Sequence, residues 1–146
     1  MPHTLKFWCS RLLAAAWLAL ALSAQAAGVS KADAQKVRAV IQAQLAAFAA
    51  DDAKRAFSFA APGIRDLFGT PERFLATVRE SYPVVYRPAS VGFLKPEALD
   101  GTVIQAVEMA DAQGTLWIAV YKLERQRGGA WRIAGCELLP SDGRVT

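Results

Sequence analysis

The sequence predicts an α+β fold in which N-terminal helices pack on a curved four-stranded antiparallel sheet. Apolar residues recur at helical spacing between residues 30 and 82, and from residue 84 onward they alternate with a period of two. Glycine also ends two three-residue segments, 112–114 and 127–129, that separate the last three strand-like runs. Helices followed by strands indicate two layers around one core, so we expect residues 27–146 to form a single domain.

The first helix is predicted from a cap and an apolar stripe. Ser30 and Asp33 resemble a capping box at its start. Asp51-Asp52 then ends it, and this pair has two interpretations, as catalytic acids or as a cap for the next helix. Adjacent side chains on a helix diverge and Asp is a favoured N-cap residue, so the pattern favours capping. The apolar stripe consists of Val37, Ile41, Leu45 and Phe48.

Proline and glycine divide the following segment into two further helices. The second helix ends at Pro62 with the glycine that follows it, and residues 64–69 are predicted to form a short turn. The third begins at Thr70, with Pro71 at the first helical position, and runs to Pro83. Three helices are therefore expected before the sheet.

The change to period two predicts four strands, and their pairing follows from the loops. Pro88 cannot donate to a central ladder, so the first strand is expected at an edge or a bulge. Glycine at the last position of the two three-residue loops suits their left-handed conformation. The strands are 84–94, 102–111, 115–126 and 130–139.

The register that these loops imply separates the two faces of the sheet. It places Glu124 opposite Arg132, which a loop one residue shorter or longer does not. It also places Tyr121 opposite Gly135 and directs Cys136 away from the core face. The predicted core face carries Val103, Val107, Met109, Trp117, Tyr121, Leu123, Trp131 and Ile133, with Gln105 and Glu137 as its polar members.

The first 26 residues have the features of a cleaved signal peptide. Lys6 and Arg11 precede an apolar run at 12–22, and Ala24-Gln25-Ala26 is a small-x-small cleavage pattern. The alternative, an uncleaved anchor, needs about 20 apolar residues to cross a bilayer. Cleavage lowers the formal charge from +4 to +2, because two of the basic residues are removed. We expect a periplasmic or secreted domain with no stable membrane insertion.

Several classes of function are disfavoured by composition. The segment that remains has one cysteine and no histidine, so it has neither an internal disulfide nor a Ser-His or Cys-His nucleophile pair. Zinc ligands are too few and no glycine-rich phosphate loop is present, so neither a metal nor a cofactor is expected. The basic residues are scattered instead of forming a stripe, so nucleic acid is not an expected partner.

Four segments resemble a bacterial family known as domain of unknown function 4864. They are VIQAQLAAFAADDAKRAFSFAAPGIRDLFG, YPVVYRP, DAQGTLWIAVYKLERQ and WRIAGCELL, and the similarity spans nearly all of the chain after the signal peptide. The order of helices and strands also resembles the nuclear transport factor two-like, or cystatin-like, cone superfamily. That resemblance implies a curved sheet wrapped around a helix with an apolar cavity between them, and it implies no particular function.

Polar and aromatic residues on the predicted core face are the candidate ligand contacts. Gln105 and Tyr121 are interpreted as a mutually hydrogen-bonded buried pair, the alternative being contacts that orient a ligand. Trp117 and Trp131 are interpreted as core residues first and ligand walls second. Glu137 is interpreted as reaching solvent at a strand end, the alternative being an acid or base at the pocket mouth.

These residues predict an exported module without catalytic machinery that binds a small apolar ligand or a protein partner. The alternative is a cofactor-free enzyme that uses Glu137 and Tyr121 on a small hydrophobic substrate. Cys136 is interpreted as packing filler, because a thiol in an apolar strand without a neighbouring histidine stays protonated, the alternative being an intermolecular disulfide.

The outer face of the sheet predicts a homodimer. Residues 116–120 are apolar on both faces of their strand, whereas a solvent-facing strand alternates. An apolar centre with a charged rim is typical of an association surface. The alternative is that the C-terminal segment or the N-terminal helix covers it. The predicted patch is Ile104, Ile118, Val120, Ala134, Cys136 and Leu138, rimmed by Glu108, Lys122, Glu124 and Arg132.

Overall fold

The structure, a computed structural model, describes residues 28–142, and the predicted signal peptide over residues 1–26 lies outside them. Helices precede strands, and the predicted α+β class is confirmed. None of the helices in the described range is long and apolar enough to cross a bilayer. The elements are α1 Lys31–Ala49, α2 Ala53–Ser58, α3 Pro62–Phe68, α4 Pro71–Ser81, α5 Pro83–Tyr86, β1 Ser90–Phe93, β2 Glu97–Leu99, β3 Thr102–Ala110, β4 Leu116–Arg125 and β5 Trp131–Pro140.

The acidic residues near the helix starts act as caps and anchors. The Ser30 hydroxyl accepts a hydrogen bond from the backbone N–H of Asp33 at 3.1 Å, as the capping prediction requires. Asp52 caps α2 by accepting from the backbone N–H of Arg55 at 3.1 Å, which confirms its capping interpretation. Asp51 has a left-handed φ of 53°. Its carboxylate accepts hydrogen bonds from the Tyr86 hydroxyl and the Arg87 guanidinium, which join the end of α1 to α5.

Two predicted elements are wrong, both beside a proline. The segment 64–69, predicted as a turn, is most of α3, because Pro62 begins this helix instead of only ending the previous one. The predicted strand 84–94 is divided into α5 and β1, because Pro83 begins a helical turn that Pro88 prevents from continuing. The edge position predicted for this segment is confirmed, since β1 pairs only with β3.

The sheet has the order β1-β3-β4-β5, and β2, which the sequence analysis missed, pairs with β3 beyond the end of β1. β1 and β2 therefore share one edge of the sheet with a break at Leu94. The amide Nε2 of Gln105 donates to the Leu94 carbonyl at 2.7 Å and to the Ala106 carbonyl at 2.9 Å. Gln105 thus supplies hydrogen bonds at the point where the edge ladder is interrupted.

The predicted register is correct through the first hairpin and for the start of the second. Met109 lies opposite Trp117, and Glu124 lies opposite Arg132. A β-bulge then interrupts the pairing between β4 and β5, and Ala134 is the unpaired residue. In place of the predicted pairing with Gly135, Tyr121 therefore lies opposite Cys136.

The bulge exchanges the two faces for the second half of β5, because one extra residue inverts the alternation of side chains. Cys136 and Leu138 lie on the core face, where both pack against the core cluster. Glu137 lies opposite Val120 on the outer face and is exposed. The predictions that Cys136 and Leu138 belong to the outer patch and Glu137 to the core face are therefore wrong.

One cluster of side chains joins the start of α1 to the loop end of the β4–β5 hairpin. The Asp33 carboxylate accepts a hydrogen bond from the Trp131 indole N–H at 3.3 Å and pairs with Arg125 at 2.5 Å. The Arg125 guanidinium lies 4.9 Å from the centre of the Trp131 ring. Burial raises the pKa of Asp33, but hydrogen bonds from Trp131 and Ser30 and the charge of Arg125 outweigh it, so its pKa is below the ordinary 3.8.

We expect Asp33→Asn to destabilise the domain at neutral pH and to lose that effect in acid. A carboxyl whose pKa is lower in the folded than in the unfolded state stabilises the fold above its unfolded pKa of about 3.9. This contribution disappears as the pH falls through the lower, folded-state pKa. Thermal unfolding of both proteins from pH 7 downward is expected to show a difference in melting temperature that narrows below pH 4. A difference that stays constant contradicts the assignment.

Candidate functional site

A cavity of about 240 Å³ lies between the helices and the core face of the sheet. Its walls come from α1, α3, α4, α5, β4 and β5, so residues far apart in sequence meet only in the folded domain. None of the lining side chains carries a charge. The lining residues are Gln44, Phe48, Ala60, Ile64, Leu67, Phe68, Phe74, Thr77, Val78, Tyr82, Val85, Tyr121, Ile133, Gly135 and Cys136.

Tyr121 places an unpaired hydroxyl on the wall of this cavity. The residue is 1% exposed, and its hydroxyl has no nitrogen or oxygen partner among the described residues; the Cys136 thiol, a weak hydrogen-bonding group, is its polar neighbour. Burial, followed by the neighbouring Cys136 thiol, raises the pKa of Tyr121 well above its ordinary value, so the hydroxyl is neutral. An unpaired buried hydroxyl costs about 1–3 kcal/mol, and native proteins rarely retain one without a reason.

Gln44 is a second buried polar group on the wall, and the sequence analysis missed it. It is buried on α1, where its Nε2 donates to the Ala56 carbonyl at 3.2 Å. This bond leaves its carbonyl oxygen for another partner. A signal was present, because Gln44 lies three residues after Ile41 and four before Phe48, within the apolar stripe of α1. A polar residue inside a core-facing stripe predicts a buried contact.

Cys136 lies on the core side of β5, opposite Tyr121. Burial raises the pKa of its thiol to about 12, although a weak hydrogen-bonding contact with the Tyr121 hydroxyl acts in the opposite direction. The thiol is therefore protonated at neutral pH, as its interpretation as packing filler requires.

We expect Cys136 to react slowly with thiol reagents in the folded protein. At pH 8 a thiol with a pKa near 12 has about a thousandfold less thiolate than one with the ordinary pKa of about 8.5. In the chain that lacks residues 1–26, Cys136 is the remaining cysteine. Ellman's reagent is expected to label it slowly in buffer and at the normal rate in denaturant. Equal rates in the two conditions contradict this assignment.

The structure does not bring the predicted site residues together. Tyr121 lines the cavity, whereas Gln105 is satisfied by backbone carbonyls and not by the Tyr121 hydroxyl, so their predicted mutual pairing is wrong. Trp131 contacts Asp33 at the start of α1. Trp117, which packs against the core cluster as predicted, and Glu137 line a second groove, between α5 and the end of the sheet.

This second groove has a volume of about 600 Å³ and lies beside the cavity. Tyr82 and Cys136 line both spaces and therefore form part of the partition between them. On the groove side the Asp111 carboxylate accepts from the Trp117 indole N–H at 3.2 Å, and this bond is the main reason that the pKa of Asp111 is lowered. The same carboxylate also accepts backbone N–H groups of its own loop, so it already has partners.

Among the helices that line the cavity, α3 is the one without a buried residue. Its Ile64, Leu67 and Phe68 line the cavity, yet no residue of this helix is buried. Leu67 is 74% exposed at the rim. The wall that α3 contributes is therefore in contact with solvent on its other side.

The cavity offers no site for a metal ion. Across residues 28–142 no three histidine, cysteine or carboxylate side chains cluster as metal ligands. The available chemistry is a neutral tyrosine hydroxyl, a buried amide and a protonated thiol in an apolar space. Such a wall can orient a ligand by hydrogen bonds while apolar contacts supply the affinity.

Comparison with known proteins places the chain in a family. The family model described as Domain of unknown function (DUF4864) matches residues 30–146. The chain belongs to this family. The family predicted from the sequence is thereby confirmed. The description of DUF4864 assigns no activity to its members. No curated protein matches the chain.

The chain is also similar to a solved structure, that of an NTF-2-like protein of unknown function from Burkholderia xenovorans LB400. The two share 17% sequence identity with a TM-score of 0.47, and the match covers 77% of this DUF4864 chain and 88% of that chain.

Proposed function

We propose that this domain binds a small, neutral, mainly apolar molecule with one hydrogen-bond acceptor, in the cavity beside Tyr121. The observation that carries the proposal is the buried Tyr121 hydroxyl, which has no nitrogen or oxygen partner among the described residues and only the weakly hydrogen-bonding Cys136 thiol beside it. A ligand acceptor, such as a carbonyl oxygen, satisfies this donor and removes the cost of leaving it unpaired.

The volume of the cavity sets an upper limit on the size of the ligand. A dry apolar cavity of about 150 Å³ is enough to bind benzene, and this cavity measures about 240 Å³. A single substituted ring, or an aliphatic molecule of similar bulk, therefore fits within it.

The absence of charged side chains from the cavity wall limits the charge of the ligand as well. None of the lining side chains is ionised at neutral pH, because the pKa values of Tyr121 and Cys136 are both raised by burial. A charged ligand loses its hydration there without gaining a counter-ion. The proposal is therefore restricted to neutral ligands.

A binding role is favoured over the cofactor-free enzyme. That alternative needed Glu137 and Tyr121 on one wall, but the bulge in β5 puts them on opposite faces of the sheet. We further propose that the module acts in the periplasm or after secretion, which is supported by the signal-like residues 1–26.

The test is to extract the protein, isolated from its natural host, with organic solvent and to identify the released molecules by mass spectrometry. Thr77→Phe is chosen to fill the cavity from α4, and Thr77→Val keeps the volume as a matched control. We expect a neutral compound of one ring or similar bulk with the parent and with Thr77→Val, and its loss with Thr77→Phe. A charged compound, or equal recovery from all three, contradicts the proposal.

A further inference from the structure

Gln44 has an unused hydrogen-bond acceptor on the wall of the cavity. Its side chain is 3% exposed, and its Nε2 donates to the Ala56 carbonyl at 3.2 Å. This bond fixes the orientation of the amide, because the opposite orientation brings two oxygen atoms together. The carbonyl oxygen Oε1 therefore points away from Ala56, and within residues 28–142 it accepts no hydrogen bond.

This oxygen faces open space instead of being sealed in the core. Among the described residues, the fully enclosed side-chain group without a nitrogen or oxygen partner is the Tyr121 hydroxyl, and Oε1 of Gln44 is not in that state. The open space that Gln44 lines is the cavity. The oxygen is therefore available to a molecule inside it.

The hydroxyl groups of Thr77 and Tyr121, on the same wall, do not donate to this oxygen. The Thr77 hydroxyl donates to the Arg73 carbonyl at 2.9 Å, which uses its single proton. The Tyr121 hydroxyl has no oxygen partner within residues 28–142. The cavity wall thus has an unused donor on β4, at Tyr121, and an unused acceptor on α1, at Gln44.

We propose that the ligand of this cavity carries an N–H or O–H group that donates to Gln44, besides the acceptor that binds Tyr121. This inference rests on the proposed function. A ligand that fills the cavity removes water from the Gln44 oxygen, and a ligand without a donor gives nothing in return. A second acceptor on the ligand does not serve, because an oxygen is satisfied only by a donor.

The cavity restricts the donor to an uncharged group. An ammonium group also donates, but no carboxylate lines the cavity to balance its charge. The volume of about 240 Å³ holds a molecule of about one ring, so a ligand beside Tyr121 also lies close to the helix wall. The predicted class is therefore small neutral carbonyl compounds with a donor, such as carboxamides, lactams and hydroxy ketones.

The test compares two pairs of matched probes on the parent and on Gln44→Met. Benzamide differs from acetophenone by an amino group in place of a methyl group, and meta-hydroxyacetophenone differs from meta-methylacetophenone by a hydroxyl group. The ratio of dissociation constants within a pair measures the preference for the donor, and hydration of the probes cancels between proteins. For at least one pair we expect this preference to be about tenfold larger in the parent than in Gln44→Met. Equal ratios in the two proteins for both pairs overturn the proposal.

Gln105→Met is the matched control for Gln44→Met. Gln105 is also buried, but its amide donates to the carbonyls of Leu94 and Ala106 and it does not line the cavity. We expect Gln105→Met to keep the preference of the parent. An equal change in the two variants overturns the assignment to Gln44.

Gln44→Met is expected to fold, because the Ala56 carbonyl keeps the backbone N–H of Phe59 at 3.3 Å. Circular dichroism checks this expectation. A crystal structure of the parent with the donor probe that binds more tightly gives an answer without any variant. We expect the donor atom of the probe within about 3.2 Å of Oε1 of Gln44. A donor atom that contacts another group instead overturns the proposal.

Acetophenone separates this inference from the proposed function. If acetophenone binds the parent and binds Tyr121→Phe more weakly, the proposed function is supported whatever the donor pairs show. If neither donor pair then depends on Gln44, only the inference about the donor is overturned. If none of the four probes binds the parent, the proposed function and this inference are both overturned.

Discussion

Phe74→Ala is expected to lower the free energy of unfolding by about 3–5 kcal/mol, the range for removing a buried phenylalanine. The Phe74 ring on α4 lies 5.7 Å from Phe48, 5.5 Å from Phe57 and 5.3 Å from Phe68, measured between ring centres. It therefore joins α1, α2 and α3 in one aromatic cluster. Its removal leaves a void next to the existing cavity, and nearby side chains only partly relax into such a void.

The matched control for Phe74→Ala is Leu67→Ala, because both residues line the cavity but Leu67 is 74% exposed. Removal of an exposed side chain is expected to change the free energy of unfolding by less than about 0.5 kcal/mol. Urea unfolding followed by circular dichroism measures both values. Similar losses for the two variants contradict the assignment of Phe74 as the centre of the cluster.

Tyr121→Phe is expected to leave the stability of the ligand-free domain unchanged, or to raise it by up to about 1 kcal/mol, and to weaken ligand binding about tenfold or more. The substitution removes only a hydroxyl, which is buried and unpaired when no ligand is present. Loss of a group that costs free energy does not destabilise the fold. The bound state, in contrast, loses its hydrogen bond. Thermal unfolding and calorimetric titration measure the two effects separately.

Tyr86→Phe is the matched control for this substitution, because the Tyr86 hydroxyl donates to the Asp51 carboxylate. The same chemical change is expected to lower stability there and to leave ligand binding unchanged. Destabilisation of the ligand-free domain by more than about 1 kcal/mol in Tyr121→Phe means that the hydroxyl has a partner in the fold. That result removes the reason for placing a ligand beside it.

The sequence was sufficient for the architecture and for most of the strand register, because those depend on local patterns. The stripe of α1, the caps at Ser30 and Asp52 and the glycine-ended loops all act within a few residues. Helix α5 was missed because Val84-Val85 resembles a strand, and this pattern was given more weight than the helix start that Pro83 provides.

The candidate site was predicted only in part because a single bulge determines it. The pairing of Glu124 with Arg132 before the bulge and the apolar character of Cys136 after it agree equally well with an uninterrupted strand. Without the bulge, Cys136 faces outward and Glu137 faces the cavity, which suggests a carboxylate acid or base in the cavity instead of a thiol. The unpaired state of Tyr121 also depends on which residue lies opposite it, so no local pattern reveals it.

The most direct test of the ligand site compares two isosteric probes on two proteins. Acetophenone and isopropenylbenzene have nearly the same shape, but a methylene group replaces the carbonyl oxygen in the second. Dissociation constants of both probes for the parent and for Tyr121→Phe form a thermodynamic cycle, in which the different solubilities of the probes cancel. We expect the parent to show an additional preference for the carbonyl of about tenfold, or about 1.4 kcal/mol, relative to Tyr121→Phe. The same ratio of the two constants in both proteins contradicts the account.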